Sequence, residues 1–195
     1  PDVKALQMQV LLLQLETFMK AQSLNIDSTP VILTGDLNSL PIKYLSDEYD
    51  TVPSQEGLVS AVYELLSNSS VLPGHPQHPN AREQQRWKKQ HRNKNANAEQ
   101  FDFFTELKHP FTLSSACAEY FGSEPKVTTK TDTFQGKSLV FQSSFVSLIL
   151  GTLDYIWISK SITVDKMLDV PQDTDPVPNA NHPSDHFPLI ADLLF

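Results

Sequence analysis

Five polar residues stand in three short motifs whose side chains suit the hydrolysis of phosphate esters. The motif GDLN contains Asp36 and Asn38, LDY contains Asp154, and SDH contains Asp185 and His186. Carboxylate oxygens suit Mg²⁺, an ion that keeps several waters and binds phosphate oxygens. One carboxylate can activate the attacking water, the imidazole can bind or protonate a phosphate oxygen, and a second carboxylate can hold the imidazole in one tautomer. The asparagine amide can donate to the charge that develops on the phosphate.

Each motif taken alone has a commoner structural explanation. A GD pair after a strand is usually a turn, an aspartate inside a strand is usually paired with a neighbour, and a terminal SDH is usually part of a loop. The catalytic interpretation depends on their order along the chain, which runs GDLN, then LDYIW, then SDHFPL.

The elements around the motifs alternate between strands and helices, which predicts an α/β sandwich. Residues 31–34, VILT, form a short buried strand that breaks into a loop at Gly35, so Asp36 and Asn38 would follow the strand. Residues 152–159, TLDYIWIS, alternate as a strand does. A last buried strand is expected after His186, behind a turn stiffened by prolines.

Two helices and two loops complete the prediction. One helix spans residues 3–22 with Asp2 as its cap, and a second lies within residues 57–69. The apolar stripe of the first helix comprises Val3, Leu6, Val10 and Leu13, widened by Leu11, Leu15 and Phe18. Residues 42–56 are expected to form a loop, and residues 67–100 an exposed and partly disordered excursion.

Composition excludes several classes of protein. The chain has 195 residues, enough for one domain or a large part of a bigger one, and its net charge of −8 gives no general attraction to polyanions. The single Cys117 excludes an internal disulfide and is expected to be a buried, inert thiol. No apolar run approaches the ~20 residues of a membrane span. Six Lys or Arg lie between Arg82 and Lys94, where a solvated loop is commoner than a patch that guides RNA.

The motif words VILTGDLNSLP, GTLDYIWISK and PSDHFPLIADL resemble the exonuclease–endonuclease–phosphatase superfamily, which has the DNase I-like fold. They are most similar to its Ccr4-type branch, which includes the poly(A)-shortening deadenylases and their Angel and nocturnin-like relatives. The resemblance extends over most of the chain except residues 42–56, much of 75–100, and 137–150. It implies two facing mixed sheets with outer helices, of which this chain holds the C-terminal half.

The resemblance also implies roles for individual residues. Asp36 matches the catalytic, metal-proximal aspartate, Asn38 the phosphate-contacting asparagine, and Asp154 the aspartate that orients His186. Asp185 matches the metal-proximal neighbour of that histidine. Phe134 in TDTFQG corresponds to an aromatic residue that stacks on a substrate base, although an ordinary core residue fits it equally. Thr129 stands near a place where the family commonly has asparagine, so an amide contact is missing here.

Two departures from the family pattern stand out. The glutamate that serves as the main Mg²⁺ ligand in the superfamily is expected upstream of Pro1, so this chain alone is expected to be inactive. Removing residues 137–151 would join TFQG to TLDYIW without a gap, and eight of residues 137–150 are apolar. We therefore interpret 137–151 as an aberrant insertion such as translated intron, with a genuine loop as the alternative.

The resemblance implies an Mg²⁺-dependent 3′-exoribonuclease of the poly(A)-shortening type in the intact protein. Alternatives are a 2′,5′-phosphodiesterase or nucleotide phosphatase on the same fold, or a truncated product that at most binds a partner. The expected partners are RNA, in particular poly(A) 3′ ends, and subunits of an mRNA-decay complex, with no membrane. The expected location is the cytoplasm, with the nucleus as a second site.

Overall fold

The computed structural model describes residues 1–47, 50–53, 55–81, 106–131, 133–134, 137–138, 149–171 and 175–195, with backbone only at 131, 133–134, 137–138 and 149–150. These residues form two compact units. The first unit comprises residues 1–29 and 41–113, and the second comprises residues 30–40 and 114–195. All the motif residues of the predicted site belong to the second unit.

The first unit begins with helix α1, Asp2–Ala21, and here two predictions were wrong. Asp2 is the first helical residue and is buried, and no side chain caps the helix at Pro1. The predicted stripe also faces the wrong way, because the helix is apolar around most of its circumference and periodicity alone does not select the packed face. The buried residues are Asp2, Ala5, Met8, Gln9, Leu12 and Met19, while Val3, Val10, Leu11, Leu13 and Phe18 are exposed.

The rest of the first unit is one helix and two short strand pairs. Helix α2, Ala61–Asn68, starts after Ser60, whose hydroxyl accepts a hydrogen bond from the Tyr63 amide. Its helical pattern predicted this element, although its start lies four residues after Gly57. The strand pairs are β2 (Ile42–Lys43) with β3 (Leu58–Val59), and β4 (Ser70–Val71) with β5 (Leu107–Lys108).

Two segments predicted to be irregular contain ordered structure. Strand β2 lies within the predicted loop 42–56. Val71 and His78 are fully buried, and Gln77 and Asn80 are nearly so. The prediction of an exposed excursion over residues 67–100 was therefore wrong at Val71 and at residues 77–80. Val71 pairs with Leu107 of β5, and the Gln77 side chain donates to Asp50 and accepts a hydrogen bond from the Ala61 amide. These partners are distant in sequence and leave no local signal. Residues 82–105 lie outside the described part of the chain.

The second unit is built on a three-stranded sheet with β11 in its centre. Strand β1, Ile32–Asp36, pairs antiparallel with β11, Asp154–Ser159, and β6, Leu113–Ser115, lies on the other side. Helix α3, Ala116–Phe121, follows β6 directly. The remaining strands form antiparallel pairs: β7 (Thr129–Thr131) with β10 (Ile149–Gly151), β8 (Thr133–Phe134) with β9 (Lys137–Ser138), and β12 (Thr163–Met167) with β13 (Ala191–Leu194).

Two strand boundaries differ from the prediction. Strand β1 continues through Gly35 to Asp36, so Asp36 ends the strand rather than following it. The final strand begins at Ala191 and alternates between half-buried and exposed residues, because β13 pairs with β12 alone among the described strands. The apolar core beside it comprises Ala116, Cys117 and Met167, with Ile156, Val164, Leu189 and Ala191 packed around them.

Cys117 lies in this core as predicted. Burial, reinforced by the charge of Glu124, raises the pKa of its thiol to about 12. The thiol therefore stays protonated at neutral pH and is chemically inert. Among the helices that the structure describes, none has both the length and the apolar character needed to cross a membrane.

Candidate active site

Antiparallel pairing brings two of the motif carboxylates face to face. Asp36 is the last residue of β1 and Asp154 is the first residue of β11, and the two are direct partners in the ladder. Residues directly opposite each other in an antiparallel pair project to the same face of the sheet. The motifs GDLN and LDY, which are far apart in sequence, therefore meet at one end of this strand pair.

His186 joins this pair through Asp154. Its Nδ1 lies 2.8 Å from Asp154 Oδ2, which places the Nδ1 proton between ring and carboxylate. Among the described residues, Nε2 has no hydrogen-bond partner. The two side chains retain exposed fractions of 28% and 21%, so the pair is sheltered but reachable by a ligand. This arrangement fixes the imidazole tautomer.

The pKa of His186 is raised above its ordinary value of 6.5. Burial opposes the charged ring and lowers the pKa, but the hydrogen bond and the negative charge of Asp154 outweigh it. The charges of Asp36 and Asp185 raise it further. All three carboxylates therefore act electrostatically on one imidazole and favour its protonated form.

Thr128 holds Asp154 in place, and sequence reasoning did not identify it. The Thr128 hydroxyl accepts the backbone N–H groups of Leu153 and Asp154 at 2.9 and 3.1 Å, and donates to Asp154 Oδ2 at 2.6 Å. Because both amides donate to this oxygen, its single proton is directed at the carboxylate. Asp154 Oδ2 thus accepts from Thr128 and His186 together. Thr128 is fully buried.

The neighbouring Thr129 holds the SDH motif. Its hydroxyl donates to the carbonyl oxygen of Asp185 at 2.7 Å, and its backbone forms a bridge with His186. The Phe187 amide donates to the Thr128 carbonyl at 2.8 Å. Thr129 was singled out in the sequence only as the place of a missing amide; in the structure it positions Asp185 and His186. No local signal distinguishes either threonine, because both contacts depend on which strands lie side by side.

Asn38 lies two residues after Asp36 in a tight turn. It adopts a left-handed backbone conformation with φ of 50°, and its amide donates to Asp36 Oδ1 at 2.6 Å. Asparagine is one of the few residues that tolerate this conformation. The bond occupies one carboxylate oxygen of Asp36 and leaves Oδ2 without a hydrogen bond to any described residue. Asp36, Asn38 and Asp185 are all exposed.

Asp36 and Asp185 are the two exposed carboxylates among the motif residues, so a cation could reach both. Within the described ranges, no group of three or more His, Cys, Asp and Glu side chains is arranged to hold a metal. The donor set nevertheless fits Mg²⁺, since this ion is commonly held by one or two carboxylates together with waters and phosphate oxygens.

One predicted site residue is not tested by this geometry. Phe134 belongs to β8 by its backbone, and its side chain lies outside the described part of the chain, as do residues 139–148 of the suspected insertion. The roles assigned to the other five residues remain predictions, although the structure brings three carboxylates, those of Asp36, Asp154 and Asp185, near the His186 ring and places Asn38 beside Asp36.

Comparison with known proteins gives matches among solved structures alone. No family model and no curated protein matches the chain. A crystal structure of ANGEL2, a 2′,3′-cyclic phosphatase, in complex with adenosine-2′,3′-vanadate matches with a TM-score of 0.56 and 18% identity, and a second ANGEL2 structure matches with a TM-score of 0.55 and 18% identity. Both matches cover 98% of this chain and 52% of the ANGEL2 chain, so this chain spans about half the length of those structures. The likeness confirms the fold that the motif words predict: the chain has the DNase I-like α/β fold of ANGEL2.

Proposed function

We propose that the protein to which this chain belongs hydrolyses phosphate esters at RNA ends, and that this chain supplies the acid–base half of the site. The observation that carries the proposal is the hydrogen-bonded series Thr128–Asp154–His186. A carboxylate that holds one imidazole nitrogen while the other is left for a ligand is an arrangement for proton transfer or for binding an anion. The fold alone would not assign this activity.

In this proposal His186 donates its Nε2 proton in a hydrogen bond to a non-bridging phosphate oxygen. Asp154 holds Nδ1 and stabilises the charged ring while it does so. Asp36 Oδ2 accepts a proton from the attacking water as the new oxygen–phosphorus bond forms. The ester bond breaks, and the leaving oxygen takes a proton from solvent. Asn38 donates to the charge that develops on the phosphate.

We propose Mg²⁺ as the cofactor, with Asp36 and Asp185 as its ligands from this chain. When bound, the ion would neutralise phosphate charge. The main glutamate ligand is still expected from another part of the intact protein.

The first substrate we propose is an RNA end carrying a 2′,3′-cyclic phosphate. The support is the likeness to ANGEL2, which is a 2′,3′-cyclic phosphatase. Removal of nucleotides from a poly(A) 3′ end is the second candidate, and its support is the set of motif words shared with the deadenylases. Both reactions break a phosphodiester with the same residues, so the site geometry alone does not separate them.

The test uses the intact protein and two 5′-labelled adenylate oligomers that differ only at the 3′ end, one a cyclic phosphate and one a hydroxyl. Ring opening without shortening supports the first substrate, and stepwise shortening of the hydroxyl oligomer supports the second. Asp36→Ala should lower turnover by roughly 10³–10⁵. Asp165→Ala is the matched control, because Asp165 is also an exposed strand aspartate of the second unit. Neither reaction with the parent protein, or equal rates for the two variants, would refute the proposal.

A further inference from the structure

The segment Leu37–Leu40, here called the Asn38 loop, contacts residues 151–155, from the end of β10 to the start of β11, in three described places. The Leu37 amide donates to the Leu153 carbonyl at 2.8 Å. The Tyr155 hydroxyl lies 2.6 Å from the Ser39 carbonyl oxygen. The side chain of Leu40 packs over Gly151 so closely that a Cβ at this position would overlap it.

The Tyr155 hydroxyl connects two segments that are distant in sequence. Besides Ser39, it lies 2.9 Å from the carbonyl oxygen of Thr152, in the turn that precedes Asp154. A phenol has one proton, so two carbonyl acceptors share one donor, and the shorter contact is the one to Ser39. Tyr155 is 3% exposed, and a buried polar group that lost its partner would be costly. The contact is therefore a persistent tie between the turn and the Asn38 loop.

The conformation of Asn38 explains why such a tie is needed. A non-glycine residue in the left-handed region is strained and persists only when the surroundings impose it. The tie from Tyr155 acts on the residue that follows Asn38, and the Leu37 amide bond acts on the residue that precedes it. Asn38 is thus held on both sides by the segment that also carries Asp154.

We propose that Tyr155 is a positioning residue for Asn38, holding it in register with Asp154 through the Ser39 carbonyl. The effect on catalysis rests on the proposed function, whereas the tie itself does not. Removing the hydroxyl should leave the fold in place, since phenylalanine keeps the ring that packs beside Trp157 at 6.1 Å. It should release the Asn38 loop.

The matched control is Ser159→Ala. Ser159 lies at the other end of the same strand, is also buried, with 5% exposed, and accepts a hydrogen bond from the Val31 amide at 2.9 Å. Both substitutions remove one buried, hydrogen-bonded hydroxyl that joins β11 to the β1 segment. Tyr155→Phe removes the contact that follows β1, at Ser39, whereas Ser159→Ala removes the contact that precedes β1, at Val31.

The first measurement is hydrogen exchange at the amides of Leu37 and Asn38. Tyr155→Phe should accelerate exchange at both by about three- to tenfold, the range that one net hydrogen bond allows. Ser159→Ala should leave both unchanged. Equal exchange in Tyr155→Phe and the parent would overturn the proposal.

The second measurement is a double-mutant cycle in the intact protein. Tyr155→Phe should lower kcat by between about 10- and 100-fold with little change in KM, because a displaced transition-state donor costs rate rather than ground-state binding. In an Asn38→Ala background the same substitution should cost less than twofold. If the kcat losses of Tyr155→Phe and Asn38→Ala multiply in the double variant, the proposal is overturned. If the parent hydrolyses neither oligomer, the proposed function fails and exchange alone decides whether Tyr155 holds the loop.

Discussion

His109 in the first unit and His186 in the second show two opposite uses of a histidine. Both ring nitrogens of His109 form hydrogen bonds to the backbone. Nε2 lies 2.8 Å from the Leu65 carbonyl oxygen, and Nδ1 accepts a hydrogen bond from the Phe111 amide at 3.1 Å. Burial lowers the pKa of His109, although the bond to the Leu65 carbonyl works against it. His186 instead has one carboxylate partner, one nitrogen without a described partner, and a raised pKa.

The contrast between the two histidines shows what burial does without a neighbouring carboxylate. Burial lowers the pKa of His109, so this ring is neutral and acts as a structural link. His109 connects the end of α2 to the segment after β5 and has no nitrogen left for a ligand. His186 is also partly buried, but the charge of Asp154 favours the protonated ring and raises its pKa. The neighbouring carboxylate, rather than the depth of burial, makes His186 a candidate hydrogen-bond donor to phosphate.

Among the changes that test the contrast between the two histidines, the largest expected effect concerns Asp154, which bonds to His186 and has no counterpart at His109. Asp154→Asn should lower turnover in the intact protein by roughly 10²–10⁴, because an amide keeps the shape but cannot stabilise an imidazolium. His186→Ala should cost about as much, and the double variant little more than either. Rates that multiply in the double variant would mean that the pair does not act as a unit.

Substitution of His109 should show the opposite pattern. His109→Gln should destabilise the chain by about 1–3 kcal/mol, since it disturbs two buried backbone hydrogen bonds. Turnover per folded molecule should stay within twofold of the parent. Denaturant unfolding measured beside the rate checks this, and a large loss of rate without a loss of stability would contradict the structural role.

Removal of the Thr128 hydroxyl should have an intermediate effect on the site. Thr128→Val leaves Asp154 Oδ2 with one donor instead of two and should lower turnover by about tenfold, the loss expected for one hydrogen bond to a charged group. Thr128→Ser keeps the hydroxyl and should restore most of the rate. If valine and serine behave alike, the side chain acts through packing rather than through Asp154.

The smallest effect is the pH dependence of stability, which has opposite signs at the two histidines. The raised pKa of His186 adds stability that is complete below pH 6.5 and is lost as the pH rises through the folded-state value. The lowered pKa of His109 adds stability that is present above pH 6.5 and is lost as the pH falls toward its folded-state value. The free energy of unfolding, measured between pH 5 and 8, should therefore fall furthest below that of the parent at the acidic end of this range for His186→Gln and at the basic end for His109→Gln.

The sequence motifs identified the candidate site residues but not the residues that hold them in place. Local alternation predicted the strands that carry Asp36 and Asp154, since a strand is encoded in neighbouring residues. It placed Asp36 just after its strand and Asp154 within one, whereas Asp36 ends β1 and Asp154 begins β11. Thr128 could not be found, because its role depends on the residue before β7 lying beside both the start of β11 and the SDH segment. The packed face of α1 was predicted wrongly because apolar residues lie on more than one face of that helix. Burial of Val71 was missed because its partner in β5, Leu107, lies more than 30 positions away in the sequence.

The most direct test of the central claim is an NMR titration of the His186 ring in this chain, which requires no activity. We expect a pKa above 6.5 in the parent, with Nδ1 protonated throughout, and a lower pKa in Asp154→Asn. A parent pKa at or below 6.5, or a value that Asp154→Asn leaves unchanged, would contradict the claim that Asp154 raises the pKa of this imidazole and so favours the protonated ring that donates to phosphate.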